Sequence, residues 1–101
     1  MSDPVIVGGV RTPFAKAAGR FNRMSAQELG RIAVRELLER HDLTPDCVDQ
    51  VITGNVASPV EAPNVARVIA LRSGVPKERP AHTVSRNCAS GMESVTQAVE
   101  L

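Results

Sequence analysis

Hydrophobic and polar positions along the chain switch between two periods. Val5 to Val10, "VIVGGV", is a continuous run rich in β-branched residues and interrupted by glycine. That pattern predicts a strand covered on both faces, as in a parallel sheet with helices above and below. After "AKAAGRFNR", which has no sustained period, Leu29, Ile32, Ala33 and Leu37 recur at helical spacing, while Arg31, Arg35, Glu36 and Arg40 fall largely elsewhere. Ser25 followed by Glu28 is a capping box, with Met24 placed to staple onto Leu29, so a helix is predicted over 25–40. Glu36 and Arg40 stand one turn apart, the spacing of a supporting ion pair.

Thr44 before Pro45 predicts a short helical turn, and "QVITGN" a second buried strand closed by Gly54. Beyond a Pro-rich loop, "NVARVIALRSG" carries Val65, Val68 and Ile69 at helical spacing, with Gly74 as C-terminal cap and Pro76 as a stop. "AHTV" predicts a short third strand. From Asn87 onward Met92, Val95, Ala98 and Val99 are helically spaced again. The order strand, helix, strand, helix, strand, helix predicts an α/β fold of three parallel strands.

The last helix has only Glu93 and Glu100 as charges and reaches Leu101 without a C-terminal cap. A helix so poor in charge is normally buried on most sides, more than three strands and two helices provide. The expectation is therefore that residues 1–101 form the N-terminal piece of a larger domain.

Composition narrows the chemistry. Lys+Arg 12 against Asp+Glu 11, with no Trp or Tyr, gives neither the basic face nor the stacking platforms of a nucleic-acid binder. Two cysteines, Cys47 and Cys88, are too few for a disulfide framework and lack the spacing of a zinc site, so free thiols are expected and no metal. The first residues carry no basic leader, and their six-residue apolar run is too short for a membrane span; a soluble, cytoplasmic protein is the expectation.

"HTVSRNCASGME", residues 82–93, is where chemistry concentrates. Asn87 reads as an N-cap that puts Cys88 at the first helical position, where unpaired amides and the helix dipole stabilise a thiolate and an oxyanion. Strand, sharp turn, nucleophile, helix is the layout by which hydrolases expose a serine, here with sulfur. Ser90 and Gly91 keep the first turn small. From position alone, a nucleophile and a buried small residue stand level.

"RTPF" after the first run, "EAPNVAR" before the second helix and "PAHTVSRNCASGMESV" at the third strand and helix together resemble the start of the thiolases, and within them the 3-ketoacyl-CoA thiolases of fatty-acid β-oxidation. The likeness runs through the chain in the right order, as a partial N-terminal thiolase domain over 1–101. It implies the first βαβαβα units of a five-layered fold whose central layer holds the cysteine-bearing helix. It also implies that Cys88 attacks the keto carbonyl of a 3-ketoacyl-CoA, releasing acetyl-CoA, and passes the held acyl group to a second coenzyme A. Coenzyme A is then a substrate, with no covalently bound cofactor. A homodimer or tetramer is implied through the edge strand Ala81–Val84, and a hydratase/dehydrogenase subunit is a possible further partner.

The family takes its activating histidine from a Gly-His-Pro motif and its second cysteine from a Cys-x-Gly motif, and neither motif occurs here. His41 and His82 therefore read as structural, Cys47 as incidental, and the fragment alone as inactive. Arg11 and Thr12 read as fixing the turn after the first run. Asn64 and Arg67 read as structural positioning, and Asn55 as only weakly placed toward a site. A 3-ketoacyl synthase, and a noncatalytic module docking through its apolar last helix, are the competing functions.

Overall fold

The computed structural model describes residues 3–101. Five regular elements follow in order: α1 (Ala26–Arg40), β1 (Val51–Gly54), α2 (Val65–Arg72), β2 (Ala81–Val84) and α3 (Ser90–Val99). A 3-10 turn at Pro45–Cys47 links α1 to β1.

Helix α1 starts where its sequence signal stands. The Ser25 hydroxyl accepts the Glu28 N–H at 3.1 Å, half of the capping box. The Glu28 carboxylate turns instead to Arg31, at 2.6 Å and 3.0 Å. Glu36 accepts from Arg40 at 2.8 Å, as the spacing predicts. Within α1 it is Leu38 and Gln27 that are buried, whereas Ile32 stays exposed.

Two caps close the helices in the same way. Gly74, at φ +90°, donates to Leu71 O at 3.2 Å while Val75 N–H reaches Ala70 O at 3.0 Å, a Schellman closure of α2. After α1, Asp42 takes the left-handed position at φ +52°, with Leu43 N–H on Leu38 O at 2.9 Å.

β1 and β2 pair in parallel, Val51 opposite Ala81 through Gly54 opposite Val84, with α2 as the crossover. Alternation along the strands splits their side chains. Thr83 faces α2, its hydroxyl accepting Ala66 N–H at 3.0 Å, whereas His82 faces α3, where Gln97 meets it. The sheet is thus covered on both sides. The core gathers around α2, where Val65, Ala66, Ile69 and Ala70 are buried together with Ala62, Leu38 and Val75. Each such Val, Leu or Ile contributes roughly 1.5–3 kcal/mol.

The expected first strand is not formed. Val5, Ile6 and Val7 are 79%, 83% and 76% exposed, and residues 5–10 belong to no ladder. The run has neither a partner strand nor two layers to bury it, so composition alone does not make it a strand. The sheet among the described residues has two strands, not three. Pro4, Val5 and Ile6 instead flank a cavity of about 200 Å³ with Val95, Ala98 and Val99 of α3. Of α3, Ser90 alone is buried, and Met92, Val95 and Val99 are exposed.

Candidate active site

The chain leaves β2 at Val84 and turns through residues 85–89 into α3. Two backbone bonds form the turn, Ala89 N–H to Arg86 O at 3.0 Å and Ser90 N–H to Asn87 O at 3.1 Å. Asn87 adopts φ +50°, a left-handed conformation that asparagine tolerates better than most residues. A third fastening is the Ser90 hydroxyl, which accepts Arg86 N–H and donates to Asn87 O, both at 2.7 Å. Cys88 rides on this turn with its residue exposed.

The predicted cap is corrected by these dihedrals. Asn87 is not the N-cap, because a left-handed φ replaces the extended conformation a capping asparagine adopts. Ala89 occupies that position, and α3 begins at Ser90. Cys88 therefore stands two residues before the helix instead of at its first position. Among the described residues its amide N–H has no hydrogen-bond acceptor.

An ion pair spans the turn. Arg86 Nη1 lies 2.6 Å from Glu93 Oε1, and Gln97 Nε2 donates to the other carboxylate oxygen at 3.3 Å. The Arg86 hydrogen bond, helped by Gln97, holds the Glu93 carboxyl below its ordinary pKa. Gln97 Oε1 in turn lies 2.9 Å from His82 Nε2, and Gln50 Nε2 lies 3.5 Å from His82 Nδ1. One tautomer satisfies both: Nε2–H donates to Gln97 and Nδ1 accepts from Gln50. His82 thereby ties β2 to α3.

Gly54 makes the approach of β1 to this region possible. A β-carbon there would collide with the backbone carbonyl of Ser90 and the Gly91 amide. The neighbouring Asn55 donates its N–H to Val84 O at 3.1 Å, and its side chain accepts Ala57 N–H at 3.0 Å, a local turn.

The remaining candidates sit elsewhere. Asn64 donates to Ala81 O at 3.1 Å and accepts from Thr83 Oγ1 at 2.9 Å, clamping α2 to β2. Arg67 donates to the carbonyls of Lys77 at 2.6 Å and Arg79 at 2.9 Å. Both side chains tie α2 to backbone at or just before β2. Arg11 donates to Thr12 O at 2.9 Å and stacks over Phe14, its charge 4.9 Å from the ring centre. His41 packs against Gly8, and Cys47 lies exposed in the 3-10 turn. Ser90 is the residue whose part the sequence reading missed; a serine three positions after the asparagine of a tight turn was the available signal. Among the described residues no cluster of His, Cys, Asp and Glu is placed to hold a metal, and no helix is long and apolar enough to cross a membrane.

A parallel β-α-β unit whose second strand delivers a cysteine on a braced turn before a helix defines an α/β protein with a candidate nucleophile elbow. Residues 4–101 match the family model described as thiolase, N-terminal domain, and the chain belongs to that family. It is 45% identical over 95 residues to a 3-ketoacyl-CoA thiolase of Colwellia psychrerythraea and 43% identical to one of Yersinia enterocolitica, in each case covering 94% of this chain and 22% of the relative. Among solved structures it matches an acetyl-CoA acetyltransferase of Bacillus anthracis with a TM-score of 0.88 at 32% identity, covering 94% of this chain and 24% of that one. Human mitochondrial 3-ketoacyl-CoA thiolase in complex with CoA matches with a TM-score of 0.83 at 38% identity, covering 88% and 23%. The α/β fold with parallel strands is thus that of a thiolase fragment, and the chain spans about a fifth of the length of the curated relatives it matches.

Proposed function

We propose that these residues supply the nucleophile of a thiolase-type acyl transfer, with Cys88 as the attacking group. The observation that carries the reading is the exposed Cys88 on a turn fastened by four hydrogen bonds, in a chain of the thiolase family. The sulfur adds to the C3 carbonyl of a 3-ketoacyl-CoA, and the C2–C3 bond breaks. The two-carbon fragment leaves as acetyl-CoA once its carbanion takes a proton. The acyl group, now a thioester on Cys88, passes to the thiol of a second coenzyme A and frees the cysteine. The unpaired Cys88 amide is a natural donor to the oxyanion formed in each addition.

The base and the second cysteine belong, in this proposal, to the larger part of the enzyme that the relatives' length implies, so residues 1–101 alone do not turn over. Two further readings go with it. The edge of β2 not paired with β1 is where a second copy adds, giving a homodimer or tetramer. Fatty-acid β-oxidation in a reducing cytoplasm suits the relatives' names and the free thiols.

The test is made on the complete polypeptide carrying these residues. Iodoacetamide is expected to alkylate Cys88 quickly, acyl-CoA to protect it, and Cys88→Ala to abolish thiolysis while an acyl adduct on Cys88 disappears from the mass spectrum. Full thiolysis by Cys88→Ala defeats the reading, and slow unprotected alkylation favours a noncatalytic module instead.

A further inference from the structure

We propose that Ser90 is a positioning residue for Cys88, an inference that rests on Cys88 being the nucleophile. Ser90 is 3% exposed, the one buried residue of α3. Its hydroxyl is used twice: it accepts Arg86 N–H and donates to Asn87 O, each at 2.7 Å. These partners lie immediately before Cys88, and Ser90 itself lies just after it. The side chain thus staples shut the loop that carries the sulfur.

The staple has a specific load. Asn87 is held at φ +50°, a conformation an ordinary residue adopts only at some cost, and the Ser90 bond to its carbonyl fixes the peptide that leads into Cys88. Gly54 brings β1 close against the Ser90 carbonyl and the Gly91 amide, so the backbone that carries the hydroxyl is held from the strand side. Removing the hydroxyl leaves the Arg86 N–H and one Asn87 lone pair without their side-chain partner and lets the turn sample other geometries. The direction of the sulfur and of the Cys88 amide changes with it, while surfaces that bind coenzyme A elsewhere do not. The loss therefore falls on the chemical step.

Ser90→Ala in the complete polypeptide is expected to lower kcat about tenfold to a hundredfold with KM within about twofold, since small misplacement of a reacting group has effects of this size. Ser90→Thr, which keeps the hydroxyl, is expected to recover most of kcat. If Ser90→Ala does not fold, Ser90→Cys is assayed in its place, with the same split expected. Unchanged kcat per folded molecule, with a lowered Tm alone, overturns the proposal and leaves Ser90 as a helix-start stabiliser. Turnover surviving Cys88→Ala overturns the functional reading instead, and the two failures are told apart by which variant retains activity.

Discussion

Gly54 and Ser90 are in backbone contact: the end of β1 lies so close to the first turn of α3 that a β-carbon on Gly54 would overlap the Ser90 carbonyl. The collision is with main chain, which cannot rotate out of the way. Gly54→Ala must therefore separate β1 from α3, and a cost of about 1–3 kcal/mol is expected, the range for overpacking a close contact. Urea denaturation measures it. Because the displaced strand abuts the residue that fastens the Cys88 turn, alkylation of Cys88 relative to Cys47 is expected to change in the same variant; an unchanged ratio would show the turn to be independent of β1.

Gly74 closes α2 at φ +90°. Any residue with a β-carbon is strained there, so Gly74→Ala is expected to destabilise by about 1–2 kcal/mol. Pro45 lies near the place such a carbon would occupy, at 3.3 Å from its Cγ, and adds to the effect. Asp42→Gly at the equivalent position after α1 is expected to be neutral or mildly stabilising, by less than about 1 kcal/mol, because the relief of left-handed strain is offset by glycine's entropy. Denaturation midpoints of the two variants should move in opposite directions or differ clearly in size.

Glu93 and Glu28 make stability depend on acid. Their partners Arg86 and Arg31 hydrogen-bond the carboxylates and hold both carboxyls below the ordinary value. Lowered in the folded state, each contributes stability that is present above the unfolded glutamate pKa and is lost as pH falls through the folded one. The denaturation midpoint is expected to be flat near neutrality and to decline below about pH 4–5. E93Q removes part of that slope, and the slope remaining should be reduced again by E28Q. Equal slopes in all three proteins would show that neither pair matters to folding.

These properties were unequally readable in the sequence. Helix limits were legible because they are local: Ser25 and Gly74 cap the helices they were expected to cap. The strand at 5–10 was not, since β-branched composition reports suitability for a covered sheet and not whether neighbours exist to cover it. The Cys88 turn was legible as a place, strand end to helix start, yet its geometry was misjudged by two residues. A local rule gives asparagine either an N-cap or a left-handed turn, and the choice here goes with the Ser90 hydroxyl and with Gly54, two contacts of which one is 36 residues away in sequence, from 54 to 90. The family resemblance rested on several short motifs in order, and that combination was more specific than any of them.

Arg67 makes the last test of how the sheet is held. Its guanidinium donates to two carbonyls in the loop before β2, Lys77 O at 2.6 Å and Arg79 O at 2.9 Å, while Arg79 itself reaches Asp49 at 3.0 Å just ahead of β1. The loop that sets the register of β2 against β1 is thus tied to α2 by one planar fork. A lysine offers a single point charge and cannot span both oxygens. Arg67→Lys is expected to cost about 1 kcal/mol and Arg67→Ala about 1–3 kcal/mol, because hydrogen bonds from a charged donor are among the stronger ones and the bond to Arg79 O is part-buried. Amide exchange reports the location: protection of the β1–β2 ladder amides, Val51 and Asn55 included, should fall in Arg67→Ala while those of α1 hold. Uniform loss across the whole chain would mean that Arg67 supports global stability and not the strand register.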